Sequence, residues 1–91
     1  MTMDRVAEIR RRLEQELAPA RLEVQDDSAL HAGHAGAAAG GGHFSVLIVT
    51  DRFAGLSTLE RHRLVYRALD DLMQSEIHAL SMKTLTPDEI R

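Results

Sequence analysis

Hydrophobic and polar positions recur along this chain with two different periods, which divide it into helices and strands. Residues 4–17 carry apolar side chains at the three-to-four spacing of an amphipathic helix, with Asp4 as its N-cap and Pro19 beyond its end. Residues 21–25 alternate between apolar and polar side chains, which predicts a short strand with one face toward water. Residues 43–50 form a second strand whose centre is apolar on both faces, so we expect it in the middle of a sheet.

The second half of the chain adds a capped helix, a strand and a helix start. The S-x-x-E capping box at residues 57–60 begins a helix whose apolar face extends to Leu72, after a turn in which Gly55 supplies a positive φ. Residues 77–84 predict a third strand, and Thr86 begins a short terminal helix.

The predicted order of elements is therefore α-β-β-α-β-α in a single domain that spans residues 1–91. The first two strands can pair as an antiparallel hairpin, whereas a helical crossover makes the second and third strands parallel. The expected fold is α/β in the broad sense (α+β), a three-stranded mixed sheet with helices on one face. The class II KH fold has the same order of elements.

Residues 26–42, between the first two strands, contain five of the six glycines of the chain. Structureless segments beyond about 12–15 residues are uncommon in a small domain and are usually functional or disordered. We expect a flexible loop here, with residues 32–42 ordered only beside a partner. His31 and His34 lie in this loop, and His43 follows it as the first residue of the second strand.

A fourth histidine, His78, lies in the third strand, where a period of two places it on the same face as Leu80 and Met82. It is either a metal ligand or a half-buried histidine bonded to the backbone. His31 and His34 are too few for a structural zinc site and are otherwise ordinary polar loop residues. The histidines thus predict a ligand set that is completed by a partner.

Composition narrows the chemistry further. The chain contains no cysteine, which excludes a disulfide scaffold, a thiol nucleophile and a cysteine-type zinc finger. Without a thiolate it cannot hold an iron–sulfur cluster in the usual way, but it can lend a histidine to a cluster held elsewhere. No apolar run reaches the ~18 residues of a membrane span, so we expect a cytoplasmic protein with no membrane partner.

Four arginines near the start of the second helix form the candidate nucleic-acid surface. They are Arg52, Arg61, Arg63 and Arg67. The net charge of −3 does not attract DNA, so binding would need such a local patch. Alternatively, Arg61 projects from the apolar stripe to form a structural ion pair, while Arg63 and Arg67 belong to a solvated helix face.

Three segments of the chain together resemble the BolA family. They are DDSALHAGH at residues 26–34, FAGLSTLERHRLVY at 53–66 and IHALSMKTLTP at 77–87. The second matches the family pattern F-x-G-x-S-x-x-x-R-H-R through Phe53, Gly55, Ser57, Arg61, His62 and Arg63. The third matches the family strand that carries a C-terminal histidine, here His78. The first matches a hairpin loop that carries a histidine in one subgroup.

The resemblance implies a class II KH-type fold and a heterodimer with a monothiol glutaredoxin of the CGFS type. Such a pair shares a bridging [2Fe-2S] cluster, with glutathione from the glutaredoxin, and serves cluster trafficking or iron regulation. The implied ligands in this chain are His78 and His31, with His34 as the alternative to His31. The family also includes transcriptional regulators whose second helix is proposed to read DNA.

The sequence also lacks the motifs of two other classes of function. A KH domain that binds nucleic acid uses a GXXG loop, and residues 53–57 do not contain one. No nucleophile–base pair, phosphate loop or complete metal site is recognisable, so we do not expect an enzyme. The further partners considered for this chain are DNA and, for the free protein, a second copy of itself in a homodimer.

Overall fold

The computed structural model describes residues 4–28 and 42–90, which form a three-stranded sheet with helices on one face. The helices are α1 (Arg5–Leu17), α2 (Thr58–Leu69) and α3 (Leu72–Ser75). The strands are β1 (Arg21–Asp26), β2 (Gly42–Val49) and β3 (Ile77–Leu85). Short 3-10 turns span Asp51–Phe53 and Pro87–Glu89.

The sheet has the predicted topology. Its order is β1-β2-β3, with β1 antiparallel and β3 parallel to the central strand β2. The first and last residues of the segment predicted to be a loop, residues 26–42, belong to strands instead, because Asp26 ends β1 and Gly42 begins β2. Residues 29–41, including most of the segment expected to be flexible, lie outside the described residues.

Helix α1 begins and ends through local signals in the sequence. The Asp4 carboxylate accepts a hydrogen bond of 3.1 Å from the Ala7 N–H, which confirms the predicted N-cap. At the other end, Ala18 adopts a left-handed conformation with φ of 44°, and its N–H donates to the Glu14 carbonyl. Pro19 follows directly, so the helix cannot continue.

The predicted second helix is divided into α2 and α3. Its start is as expected, because Ser57 and Glu60 make both hydrogen bonds of the capping box. It breaks at Asp70, where φ is 48°. The Arg12 side chain, from α1, donates to the Leu69 carbonyl at 3.0 Å and to the Asp71 carboxylate at 2.6 Å. These bonds satisfy the carbonyl groups at the end of α2 and tie that end to α1.

The terminal helix expected from Thr86 onward is only a 3-10 turn, Pro87–Glu89.

The core lies between the helices and one face of the sheet. Its buried members are Ile9, Leu13, Leu17, Phe44, Val46, Ile48, Phe53, Val65, Leu69, Leu72 and Ile77. The predicted apolar faces of α1 and α2 supply most of the helical part, as expected. His43, Ser45 and Leu47 point from β2 to the opposite face, where they are half-buried. No helix in residues 4–28 or 42–90 is long and apolar enough to cross a membrane.

Candidate functional site

The parallel pairing of β2 and β3 brings two histidines together at the start of both strands. The register pairs His43 with Ala79, the residue that follows His78. The imidazole rings of His43 and His78 lie 5.1 Å apart between centroids, with their planes tilted by 43°. His43 is half-buried and His78 is exposed. The exposed His78 imidazole therefore contacts the half-buried imidazole of His43.

A bulge in β3 determines where His78 points. Gly42 pairs with Ile77, but His43 pairs with Ala79, so His78 is an additional residue in the edge strand. Ile77 and Leu80 both pack on the core although they are three residues apart, which a regular strand with a period of two does not allow. The prediction that His78 shares a face with Leu80 was therefore wrong, because the bulge shifts the alternation and turns His78 to the solvent.

Hydrogen bonds tie the end of β1 to the start of β2, beside the two histidines. The His43 N–H donates to the Ser28 Oγ at 3.1 Å, and the His43 carbonyl accepts from the Asp27 N–H at 2.7 Å. The Asp26 carboxylate accepts from the Ser28 N–H at 2.8 Å, and the bonds from Ser28 lower the pKa of Asp26. These bonds join residues 26–28 to His43, on the two sides of segment 29–41, and together they form what we call the loop anchor.

Gly42 fits this anchor because it has no side chain. An added Cβ would lie 2.7 Å from Cε2 and 2.8 Å from Cζ of the Phe44 ring, and 2.9 Å from the Ser28 Oγ. The Gly42 N–H also donates to the Glu76 carbonyl at 2.9 Å, immediately before β3. The residue thus connects the loop anchor, the core and the start of β3.

The predicted loop ligands His31 and His34 lie outside the described residues, so the structure does not place them. Within residues 4–28 and 42–90, no three His, Cys, Asp or Glu side chains are grouped as a metal site. The described part of the site is the exposed imidazole of His78, with His43 beside it. The sequence does not reveal the contact of His43 with His78, because that contact depends on a bulge in β3.

Arg61 is bound within the fold rather than exposed for a ligand. Its guanidinium donates to the Glu89 carboxylate at 2.6 and 3.1 Å, and to the carbonyls of Leu56 at 3.0 Å and Thr84 at 2.9 Å. It also lies 5.8 Å from the Phe53 ring centroid. Hydrogen bonds from Arg61 lower the pKa of Glu89 to about 2. The expected structural ion pair is confirmed, and the Arg61 guanidinium is occupied by contacts within the fold.

The remaining arginines of the candidate nucleic-acid surface, Arg52, Arg63 and Arg67, are exposed. They border two adjacent shallow grooves that share Leu64 and Arg67 in their lining, and each groove also contains one glutamate, Glu16 or Glu60. Arg52 follows the C-terminal end of β2, whereas His43 and His78 lie at the N-terminal ends of their strands. The arginine surface and the histidine pair are therefore separate features of the fold.

Comparison with known proteins gives consistent results. Residues 13–89 match the family profile described as BolA-like protein. The chain is 47% identical to SufE-like protein 1 of Arabidopsis thaliana over 90% of its own length and 24% of that protein. It is 40% identical to the DNA-binding transcriptional regulator BolA of Escherichia coli, over 89% of this chain and 78% of the regulator.

The fold is also that of a solved structure. The BolA domain of SufE1 from Arabidopsis thaliana superposes with a TM-score of 0.84 at 44% identity, over 99% of this chain and all of that domain. This chain spans less than two thirds of the length of several curated relatives, with 60% of the mouse BolA-like protein 1 as an example. The similarity therefore concerns the domain that these proteins share.

Proposed function

This chain belongs to the BolA-like family, and from that premise we propose that it is a non-enzymatic partner of a monothiol glutaredoxin. The two proteins would share a [2Fe-2S] cluster for iron–sulfur trafficking or iron sensing. The exposed His78 imidazole, at a bulge in an edge strand, is the observation that carries the proposal. An exposed ligand at a strand edge can meet a second protein without rearrangement of the core.

The described residues fit a shared site better than a self-contained one. In the part of the chain that the structure describes, the His78 imidazole is accessible as a metal ligand, but no group of three metal-ligating side chains is present. A [2Fe-2S] cluster takes four protein or thiol ligands, and histidine can replace cysteine on one iron. We assign His78 and a loop histidine to this chain, and a cysteine and the glutathione thiol to the glutaredoxin. Imidazole ligands raise the reduction potential of such a cluster.

Chain geometry favours His31 over His34 as the loop ligand. Ser28 is anchored to the His43 N–H, and the His43 ring contacts His78. At no more than about 3.6 Å per residue, His31 stays within about 11 Å of Ser28, whereas His34 can lie about 22 Å away. We therefore assign His31 as the loop ligand, with His34 as its alternative, because the shorter tether to Ser28 restricts a ligand at residue 31 more closely.

Anaerobic titration into a [2Fe-2S]-loaded monothiol glutaredoxin tests this proposal. Visible circular dichroism should change up to a one-to-one ratio, and His78→Ala should weaken the interaction by at least about tenfold, as for the loss of a metal-site residue. The matched control is His62→Ala, which removes a histidine from α2 and should behave as the wild type. Of the loop variants, His31→Ala should alter the spectrum and His34→Ala should not. An unchanged glutaredoxin spectrum with the wild-type chain would contradict the proposal.

A second candidate function is DNA binding. The relative from Escherichia coli is named a DNA-binding transcriptional regulator, and Arg52, Arg63 and Arg67 of this chain are exposed around Leu64. Guanidinium groups on a helix face can neutralise DNA phosphates and fix the protein on the duplex. Because Arg61 is bound to Glu89, we expect three arginines rather than four to contribute.

The salt dependence of binding to a DNA duplex tests this second function. Each arginine that contacts a phosphate should add about one to the slope of log affinity against log salt. The double variant Arg63→Ala/Arg67→Ala should thus lower the slope by about two and leave glutaredoxin binding intact. Arg21→Ala, which removes an exposed arginine paired with Glu23 on β1, is the control. An affinity that does not vary with salt would exclude this function.

A further inference from the structure

The ring contact between His43 and His78 has a role that the proposed ligands do not include. His78 belongs to an edge strand, is exposed, and sits at a bulge. An exposed side chain at such a position samples several χ1 rotamers. A partner that binds only one of these rotamers must offset the conformational entropy that the side chain loses. The ring of His43, 5.1 Å away, is placed to restrict that sampling.

His43 is itself held firmly. Its backbone N–H and carbonyl are bonded to Ser28 and Asp27, and Asp27 accepts a further hydrogen bond from the Ser45 hydroxyl on the same strand. The His43 side chain is half-buried in the central strand, and its Nε2 is buried. A ring in this position offers a fixed surface to its neighbour, and its Nε2 is shielded from solvent.

We propose that His43 is a positioning residue for His78. Its ring supports the exposed imidazole in one orientation, so that His78 presents a nitrogen toward a partner before the partner arrives. The inference deepens the proposed function, because it concerns the presentation of the ligand assigned there. It assigns His43 no ligand bond of its own and requires only the shape of its ring.

Two variants separate support by the ring from ligation by a nitrogen. His43→Phe keeps an aromatic ring and removes both nitrogens, whereas His43→Ala removes the ring. Leu47→Ala, which truncates a half-buried side chain four residues along the same face of β2, is the matched control. Three-bond couplings from the backbone nitrogen and carbonyl carbon of His78 to its Cγ report its χ1 populations without any partner.

We expect the couplings of the wild type, His43→Phe and Leu47→Ala to indicate one dominant rotamer, and those of His43→Ala to be averaged. In the glutaredoxin titration, His43→Ala should bind about 3–10-fold more weakly, which corresponds to the entropy of about one immobilised side chain. His43→Phe should restore wild-type affinity. Unfolding free energies measured in parallel show whether each variant remains folded.

Other outcomes would overturn the inference. Equal couplings in the wild type and His43→Ala would show that the ring does not restrain His78. Loss of cluster binding in His43→Phe, with its couplings unchanged, would make His43 a ligand instead. If the wild-type chain captures no cluster at all, the proposed function fails, and the couplings still decide whether His43 orders His78.

Discussion

Replacement of Phe53 by alanine is expected to lower the free energy of unfolding by about 3–5 kcal/mol, the range for a buried phenylalanine. The Phe53 side chain is fully buried in the core, between the end of β2 and the start of α2. Its ring also lies under the guanidinium of Arg61, which is paired with Glu89. Truncation would leave a cavity and remove the surface that supports this ion pair.

Urea denaturation followed by far-ultraviolet circular dichroism measures this effect, with the m-value as a check on two-state behaviour. Phe53→Leu should lower the free energy of unfolding by much less, because a smaller apolar side chain still fills part of the space. Leu59→Ala is the surface control, since Leu59 is 59% exposed in α2 and should change stability by no more than about 0.5 kcal/mol. A loss of less than about 1 kcal/mol in Phe53→Ala would contradict this role of the ring.

A Gly42→Ala substitution is expected to cost about 1–3 kcal/mol and to disturb the environment of His78. The new methyl group would meet the Phe44 ring at 2.7 Å and the Ser28 Oγ at 2.9 Å. Phe44 is buried in the core, so it can yield only by displacing its neighbours, as in other overpacked sites. Movement of Ser28 instead would break its hydrogen bond to the His43 N–H.

Gly55→Ala is the matched control for that substitution. Gly55 has a φ of 78°, and no atom lies within 4 Å of the place that an added Cβ would take, so its replacement strains the backbone without a collision. Both variants should unfold more easily than the wild type, but only Gly42→Ala should shift the imidazole resonances of His43 and His78. Unchanged resonances in Gly42→Ala would show that the loop anchor and the histidine pair are independent.

Local signals explain why most of the fold could be predicted from the sequence. The Asp4 cap, the Ser57–Glu60 capping box and the positive φ of Gly55 depend on residues close in sequence, and all three are present in the structure. The unusual place of Arg61 in an apolar stripe also indicated an ion pair without identifying the acid. Glu89 could not be named, because the partner lies 28 residues further along the chain.

Features that depend on tertiary contacts were not predictable in the same way. The break at Asp70 is stabilised by Arg12 of α1, and hydrophobic periodicity contains no information about such a contact between helices. A regular period of two along β3 predicts alternate faces for successive side chains, but the bulge at His78 interrupts that alternation in the structure. The sequence pattern therefore assigned His78 to the wrong face of the sheet. The contact between His43 and His78 follows from that bulge and from the parallel register, and both arise only when the sheet forms.

The bond from Arg61 to Thr84 also affects how the sheet meets other chains. The Leu85 carbonyl accepts from the Thr50 N–H on the β2 side, so the preceding carbonyl, of Thr84, points to the outer edge of β3. In the described residues no further strand pairs with that edge. Open edges recruit strands from neighbouring molecules, which leads to aggregation. By occupying the Thr84 carbonyl, Arg61 removes one acceptor that an added strand would need at this end of the sheet.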